Sequence, residues 1–570
     1  MPPRVFPIVQ TVPVAKGTPE YESLVDNIVL EQFANKVPKN LLLPSAIIDN
    51  PPKDVTSIPR DCGLLTADEL AITETHDATS LAQAIRTGQL TSVAVTTAFA
   101  KRAIIAHQLT CCLTEWFLDE ALAQARALDE HLARTGTVVG PLHGVPVSIK
   151  EHLQMAGHWS ADGYLGSRRL DTEDSHIVSI LRRLGAVFYC KTNQPQAIMH
   201  LETVSPYGRT LNPHNVHLSA GGSSGGEAAL LALRGSVLGV GTDIGGSIRG
   251  PAGFCGVYGF KPTTRLLPMR GLNHSGGVPA ELTILATCGP MAVSARDLDL
   301  WMGAVLGEKP FLKDPSLVPL PWRGLSADGG AGASSRQKPL KIGFMMNDGV
   351  IQPQPPVVRA LEWARSKLSG SSDGFELKPF VPYRVADAIK NIRRAYWPDG
   401  GEGIKAAVAK TGEPMEKLTQ WIIQDAEGPA YSWEDMFKMR LERDDLRTQF
   451  AEHWTEQDVD VVVCPVFVGP ASAHDTALYW NYTAFWNYVD CPGFVFPTPI
   501  KALAKSEEEA QHGSSSSGTV LGDEDAHVRK LWEEGDFEGA PVCLQIVARK
   551  YHDNELFSAI AAMKDTLGIS

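Results

Sequence analysis

The chain has 570 residues, with 52 Lys and Arg against 65 Asp and Glu, and a formal net charge of −13. Its 44% hydrophobic and 21% charged content is ordinary for a globular protein and supplies enough apolar material for a large core. The acidic balance argues against nucleic acid or an anionic membrane as a partner, no run of about 18 apolar residues marks a spanning helix, and nine scattered cysteines without a Cys-x-x-Cys pair exclude a disulfide framework and a structural zinc site.

The N-terminal stretch MPPRVFPIVQTVPVAKG carries no apolar run followed by a cleavage site, so a cytoplasmic protein is expected. Residues 1–60 are proline-rich, and Leu24, Ile28 and Val29 predict an amphipathic helix within Tyr21–Phe33. Thr66-Ala-Asp-Glu69 is a capping-box pattern that opens a helix. Thr79–Ile85 and Thr91–His107 read as helices broken at Gly88, and the Ala- and Leu-rich Ala121–Leu132 as another. The character then changes: Val145–Ile149 is β-prone and ends on Lys150. Ile177–Leu184 reads as a helix and Ala186–Lys191 as a strand, which suggests α/β layering. Pro339–Met346 and the buried-looking Val459–Val463 predict further strands. Two low-complexity segments, 326–338 and 506–519, are expected to be mobile surface loops.

Between these elements, Gly221–Gly250 holds ten glycines and four serines in two knots, Gly221–Gly226 and Gly245–Ser247, around an apolar helix-and-strand unit. Glycine costs stability wherever its conformational freedom is not needed. Three general motifs compete for it. Gly239-Val-Gly241-Thr-Asp-Ile-Gly245 approximates a dinucleotide-binding fingerprint, but Pro251 falls where that fold needs a long helix. Gly221-Gly-Ser223-Ser-Gly225 matches the G-x-S-x-G elbow, which follows a strand directly, whereas Asn212–Ala220 reads as loop. No G-x-x-x-x-G-K-[ST] phosphate loop is present. The remaining option is that the glycines serve only tight turns and helix packing.

GPLHGVPVSIKE (Gly140–Glu151), GGSSGGEAAL (Gly221–Leu230) and GTDIGGSIRGPAGFCGVYGFKPT (Gly241–Thr263), in this order, resemble the amidase signature family. Gly185–Asn193 and Asn212-Pro213 agree with it. The resemblance runs from about residue 75 to near the carboxyl end, is most specific over 140–263, and is strongest toward fungal acetamidases and fatty acid amide hydrolases. It implies an α/β fold in one domain, residues 75–570, with a large mixed β-sheet of about eleven strands sandwiched between helices. Residues 1–74 would be a helical extension that mediates a homodimer.

The resemblance further implies a Ser–cis-Ser–Lys triad. Ser247 matches the nucleophile, Ser223 the bridging serine that follows a cis peptide, and Lys150 the base; Ser224 matches a supporting hydrogen-bonding position. The amides of Ile244, Gly245, Gly246 and Ser247 would form the oxyanion hole, with Asp243 and Arg249 holding the loop as an ion pair. The chemistry suits these residue types. A serine hydroxyl needs a base to take its proton, and lysine serves only when burial lowers its pKa. Glu151, next to Lys150, would point to the opposite face of a strand. No metal or organic cofactor is needed, and the products are a carboxylate and ammonia or an amine.

The aromatic stretch Tyr479–Tyr488 has two readings. Tyr482, Thr483, Asn487, Asp490 and Pro492 match a family segment beside the acyl pocket, which makes Tyr482, Phe485 and Trp486 candidate substrate-binding walls. Alternatively it is a buried helix with its aromatics in the core. Trp159 and Ala161 depart from the family's Asp-Ser-Thr pattern, and the N-terminal membrane helix of fatty acid amide hydrolases is missing. Small aliphatic or aryl amides are therefore the expected substrates, with esters as a side reaction. The competing readings are a glutamine-hydrolysing amidotransferase subunit, which needs partner subunits, and a nucleotide-binding protein.

Overall fold

Every strand-like segment named above falls into one sheet of the computed structural model, which describes residues 5–272, 284–326, 339–371, 374–426, 428–512 and 519–570. Its strands are β1 (Leu113–Trp116), β2 (Pro146–Lys150), β3 (Val187–Thr192), β4 (Leu238–Asp243), β5 (Tyr258–Lys261), β6 (Thr287–Ala292), β7 (Lys341–Phe344), β8 (Glu376–Pro379), β9 (Val461–Pro465), β10 (Gly493–Lys501) and β11 (Pro541–Val547). The eleven strands run in the order β1-β3-β2-β4-β6-β5-β10-β11-β9-β7-β8. β3, β2 and β4 are mutually parallel, as are β9, β7 and β8; the pairings between these two blocks are antiparallel. Helices cover both faces, so strands such as β2, β3, β4 and β11 are buried at every position. That explains why they are mostly apolar and lack an alternating polar face.

The register places the site. β2 and β4 pair in parallel with Ser148 opposite Gly239 and Ile149 opposite Val240. Lys150 therefore ends β2 beside Thr242 and Asp243 at the end of β4. Ligands of open α/β sheets bind outside the carboxyl ends of such strands. The helix Gly225–Ala232 links the two glycine-rich knots and packs on β2 and β4.

The N-terminal segment is helical and packs on its own chain. Helix Pro19–Val29 runs into a wider turn at Leu30–Ala34. The Phe33 ring stacks 4.2 Å from that of His107, and the Val9 amide donates to the Gln108 carbonyl at 2.9 Å. The capping box is complete, with the Thr66 amide 2.9 Å from Glu69 Oε2 and the Glu69 amide 3.2 Å from Thr66 Oγ1. Two sequence expectations change. Asn212–Ala220, expected as loop, holds the short strand Asn215–Ser219, which pairs antiparallel with Leu211–Asn212. The segment 506–519 begins as part of the helix Lys505–His512 rather than as a loop. Buried Glu508 explains it: the carboxylate accepts from Arg359 Nε at 3.0 Å and from the Leu503 amide at 2.9 Å, which ties the helix down. The rest of that loop expectation at 513–518, and the other at 327–338, lie outside the described residues. Among the described residues no helix is long and apolar enough to cross a membrane.

Two hydrophobic clusters fill the interior. The second collects Phe450, Trp454, Phe485 and Trp486, whose rings meet edge to face at 5.1–6.1 Å. Trp486 is fully buried there. Trp486→Ala should lower stability by about 3–5 kcal/mol, measured as a fall in the urea midpoint; a loss under about 1 kcal/mol would show that this residue is not a core anchor.

Candidate active site

Lys150 is buried where β2 ends. Its Nζ donates to Ser223 Oγ at 2.6 Å and to Thr242 Oγ1 at 3.1 Å. It makes no ion pair among the described residues. Burial drives its pKa well below the ordinary lysine range, opposed by the nearby charges of Asp243 and Glu227. Glu151 plays no part in this. Its carboxyl feels the charges of Lys191 and Arg168, but burial outweighs them and pushes it up to about 8.

The first knot brings Ser223 to the lysine. The Gly222–Ser223 peptide is cis, a feature no sequence pattern reveals. Ser224 turns elsewhere. Its amide donates to the Ser247 carbonyl at 3.1 Å, and its Oγ lies 3.4 Å from the Thr242 amide. This serine stitches the two knots together. Ser247 is buried, and its Oγ has no hydrogen-bond partner among the described residues.

Asp243 organises the second knot. Its carboxylate accepts from the amides of Gly246 at 2.9 Å and Ile248 at 3.2 Å, from Arg249 Nε at 3.0 Å and Nη2 at 3.1 Å, and from Asn487 Nδ2 at 2.9 Å. Burial alone would raise this carboxyl, but Arg249, Lys261 and Asn487 hold it at about 2. Asp243 and Arg249 thus form the anticipated ion pair. The proposed oxyanion set needs correcting at one position: the Gly246 amide is committed to Asp243. The amides of Ile244, Gly245 and Ser247 have no acceptor among the described residues. Gly246 has φ +131°, and a Cβ there would lie 2.2 Å from Thr483 Oγ1, so both the turn and its neighbour require glycine.

A cavity of about 180 Å³ meets both knots. Ser223, Ser247, Thr242 and Ile244 line one side, and Met199, Met269, Leu272, Tyr396, Trp397 and Ile404 the other. His152 and Asp162 add polar atoms. Tyr482, Phe485 and Trp486 are not on its wall. Tyr482 donates its hydroxyl to the Ile351 carbonyl at 2.6 Å, while Phe485 and Trp486 belong to the aromatic core. Their helix, Asn481–Tyr488, is buried throughout. It reaches the site with polar side chains instead, Thr483 to the Gly245 carbonyl at 2.8 Å and Asn487 to Asp243. Trp159 lies under the Arg168 guanidinium at 3.7 Å, and the Ala161 carbonyl accepts from Gln194 Nε2 at 2.7 Å; neither lines the cavity.

Sequence reasoning missed Tyr396 and Trp397, which stand in no motif. It also passed over Glu227, although it closes GGSSGGE. This buried carboxyl sits beneath the lysine. It accepts from Ser148 Oγ at 2.5 Å and from Thr192 Oγ1 at 2.9 Å, and Thr192 is the register partner of Lys150. Burial pushes its pKa up to about 8. No group of three or more His, Cys, Asp or Glu suited to a metal occurs among the described residues.

A mixed eleven-stranded sheet with serine-bearing turns beside a buried lysine is the fold of amide-hydrolysing enzymes: it superposes on a solved fatty acid amide hydrolase with a TM-score of 0.86 and 33% identity, covering 97% of each chain. The chain belongs to the amidase family, whose model, Amidase, matches residues 94–557. It is 42% identical over 516 residues to an amidase-named protein of Schizosaccharomyces pombe, 89% of this chain and 93% of the relative. It is 35% identical to an acetamidase of Aspergillus oryzae, over 90% of this chain and 93% of the relative. The protein is accordingly an amide-hydrolysing enzyme.

The Glu227 environment has a pH signature. Its folded-state pKa of about 8 lies above the unfolded value of 4.5, so the folded state holds the extra proton between these limits. Stability therefore falls as pH rises from about 4.5 through 8. Glu227→Gln should flatten this slope in urea unfolding measured from pH 5 to 8.5, and an unchanged slope would show that the carboxyl is ionised in the folded protein.

Proposed function

We propose that amide hydrolysis here proceeds through a serine acyl-enzyme built from Ser247, Ser223 and Lys150. The observation that carries this reading is the 2.6 Å contact between Lys150 Nζ and Ser223 Oγ, away from water and with no carboxylate to keep the lysine charged. A neutral Lys150 accepts the Ser223 proton while Ser223 takes that of Ser247. The Ser247 oxygen then adds to the amide carbonyl, and the negative oxygen that forms is received by the amides of Ile244, Gly245 and Ser247. As the C–N bond breaks, the same relay runs in reverse and delivers a proton to the leaving nitrogen. Water repeats the sequence on the ester and releases the carboxylate.

The substrates are small aliphatic or aryl amides. The cavity volume of about 180 Å³ and its mostly apolar wall of Met199, Met269, Leu272 and Trp397 support this class, as does the likeness to an acetamidase.

A fluorophosphonate label should attach to Ser247, and Ser247→Ala should lose both label and turnover, about 10³-fold or more. Because the base must be neutral, kcat/KM should rise with pH through the lowered Lys150 pKa. Lys150→Met should abolish that limb along with most activity. An adduct on another residue, or an unchanged limb in the lysine variant, would sink the assignment.

A further inference from the structure

The turn from Ile244 to Ser247 is bonded unequally on its two sides. All four of its carbonyls have donors. The Ile244 carbonyl accepts from the Tyr396 hydroxyl at 2.9 Å and the Gly245 carbonyl from Thr483 Oγ1 at 2.8 Å. The Gly246 carbonyl accepts from the Gly250 amide at 2.7 Å and the Ser247 carbonyl from the Ser224 amide at 3.1 Å. Of the four amides, only that of Gly246 is engaged among the described residues, by Asp243. Buried amides without an acceptor are rare in folded proteins, and each is costly. A turn that satisfies every acceptor and leaves three donors open is suited to receive a negative oxygen.

The side chains that create this asymmetry come from far along the chain. Tyr396 ends the helix Val385–Tyr396, and Thr483 lies in the helix Asn481–Tyr488. Each grips one of two successive peptide groups. The cis peptide at Gly222–Ser223 is the only one among the described residues, so the Ile244–Gly245 and Gly245–Gly246 peptides are trans. In a trans peptide the carbonyl and the next amide point in opposite directions within one rigid plane. Holding the Ile244 carbonyl therefore fixes the direction of the Gly245 N–H. Thr483 and Asp243 clamp the next peptide from its two ends. Both hydroxyls approach at glycines: a Cβ on Gly245 would lie 2.7 Å from the Tyr396 hydroxyl oxygen, and one on Gly246 would lie 2.2 Å from Thr483 Oγ1.

We infer that Tyr396 and Thr483 are positioning residues: the Tyr396 hydroxyl aims the Gly245 amide at the oxygen of the reacting amide, and Thr483, with Asp243, fixes the following peptide plane and so the path of the chain to the Ser247 amide. This rests on the acyl-enzyme reading with Ser247 as nucleophile. Thr483 thereby gives the aromatic 479–488 segment a function that its rings do not have. Neither residue moves a proton; each fixes the direction of a backbone dipole before charge develops. The contribution should thus appear in the transition state and be nearly absent from substrate binding.

The test compares wild type with Tyr396→Phe, Thr483→Val and Thr483→Ser on a small amide, alongside inhibition by a trifluoromethyl ketone that forms an anionic adduct. The loss of one direct oxyanion donor costs about 10²–10³ in kcat. A misaimed donor should cost about tenfold or more in kcat with KM changed less than about twofold. Ketone affinity should fall by the same factor, and Thr483→Ser should restore both. Wild-type kcat in Tyr396→Phe and Thr483→Val would overturn the inference, as would a rise in KM at constant kcat, the mark of a cavity wall. Fluorophosphonate mapping on the same proteins separates the two readings. An adduct away from Ser247 defeats the acyl-enzyme assignment, whereas an adduct on Ser247 with unaltered turnover in both variants defeats only the positioning role.

Discussion

Lys150 is held out of water with two hydroxyls around its nitrogen and no carboxylate in contact, and much of the surrounding structure exists to sustain that arrangement. A buried ammonium without a partner is unfavourable enough that the group sheds its proton. Keeping it so requires that the neighbouring acids be dealt with separately. Asp243 is neutralised by Arg249. Glu227 is buried beside Ser148 and Thr192, and that burial favours a protonated carboxyl even though both hydroxyls donate to it. Glu151 is buried so that its carboxyl favours the protonated form. Each potential counter-ion is thus paired elsewhere or kept neutral by burial, and the parallel pairing of β2 with β4 supplies the frame around the lysine.

The same economy governs the second knot. One carboxylate, Asp243, binds backbone amides, an arginine and an asparagine at once. A buried pair of this kind adds little net stability by itself, because desolvation offsets the attraction. Its value lies in geometry: it ties the turn to the helix Asn481–Tyr488 and fixes the path of the chain around Ser247. Glycines at 245 and 246 permit neighbouring hydroxyls to come within bonding distance of the backbone.

Much of this was legible in the sequence, for identifiable reasons. The three motifs around Lys150, Ser223 and Ser247 are local in sequence, and their glycines and serines are rare enough in combination to point to one fold. The strands β2, β3, β7 and β9 announced themselves as short apolar runs, and Thr66 with Glu69 as a capping box. The cavity walls were less legible. Tyr482, Phe485 and Trp486 have the helical spacing that serves a core as well as a pocket, and burial on all sides of their helix decided for the core. Tyr396 and Trp397 carry no motif, since their role depends on where the helix Val385–Tyr396 docks. The commitment of the Gly246 amide to Asp243 was equally hidden, because a backbone direction leaves no trace in residue type. The helix at 505–512 was obscured by its low-complexity composition, although buried Glu508 anchors it.

The grips on the Ile244–Ser247 turn come from residues 396, 483 and 487, about 150 to 240 positions later in the chain. Strand β5, just beyond the turn, likewise pairs with β10. A ribosome that has just completed the serine-bearing motifs has therefore made Lys150, Ser223, Ser247 and the local ties from Asp243, Ser224 and Gly250, but not the Tyr396 and Thr483 hydroxyls that hold the first two carbonyls of the turn. The full set of contacts around the turn exists only once the carboxyl-terminal third of the chain has docked.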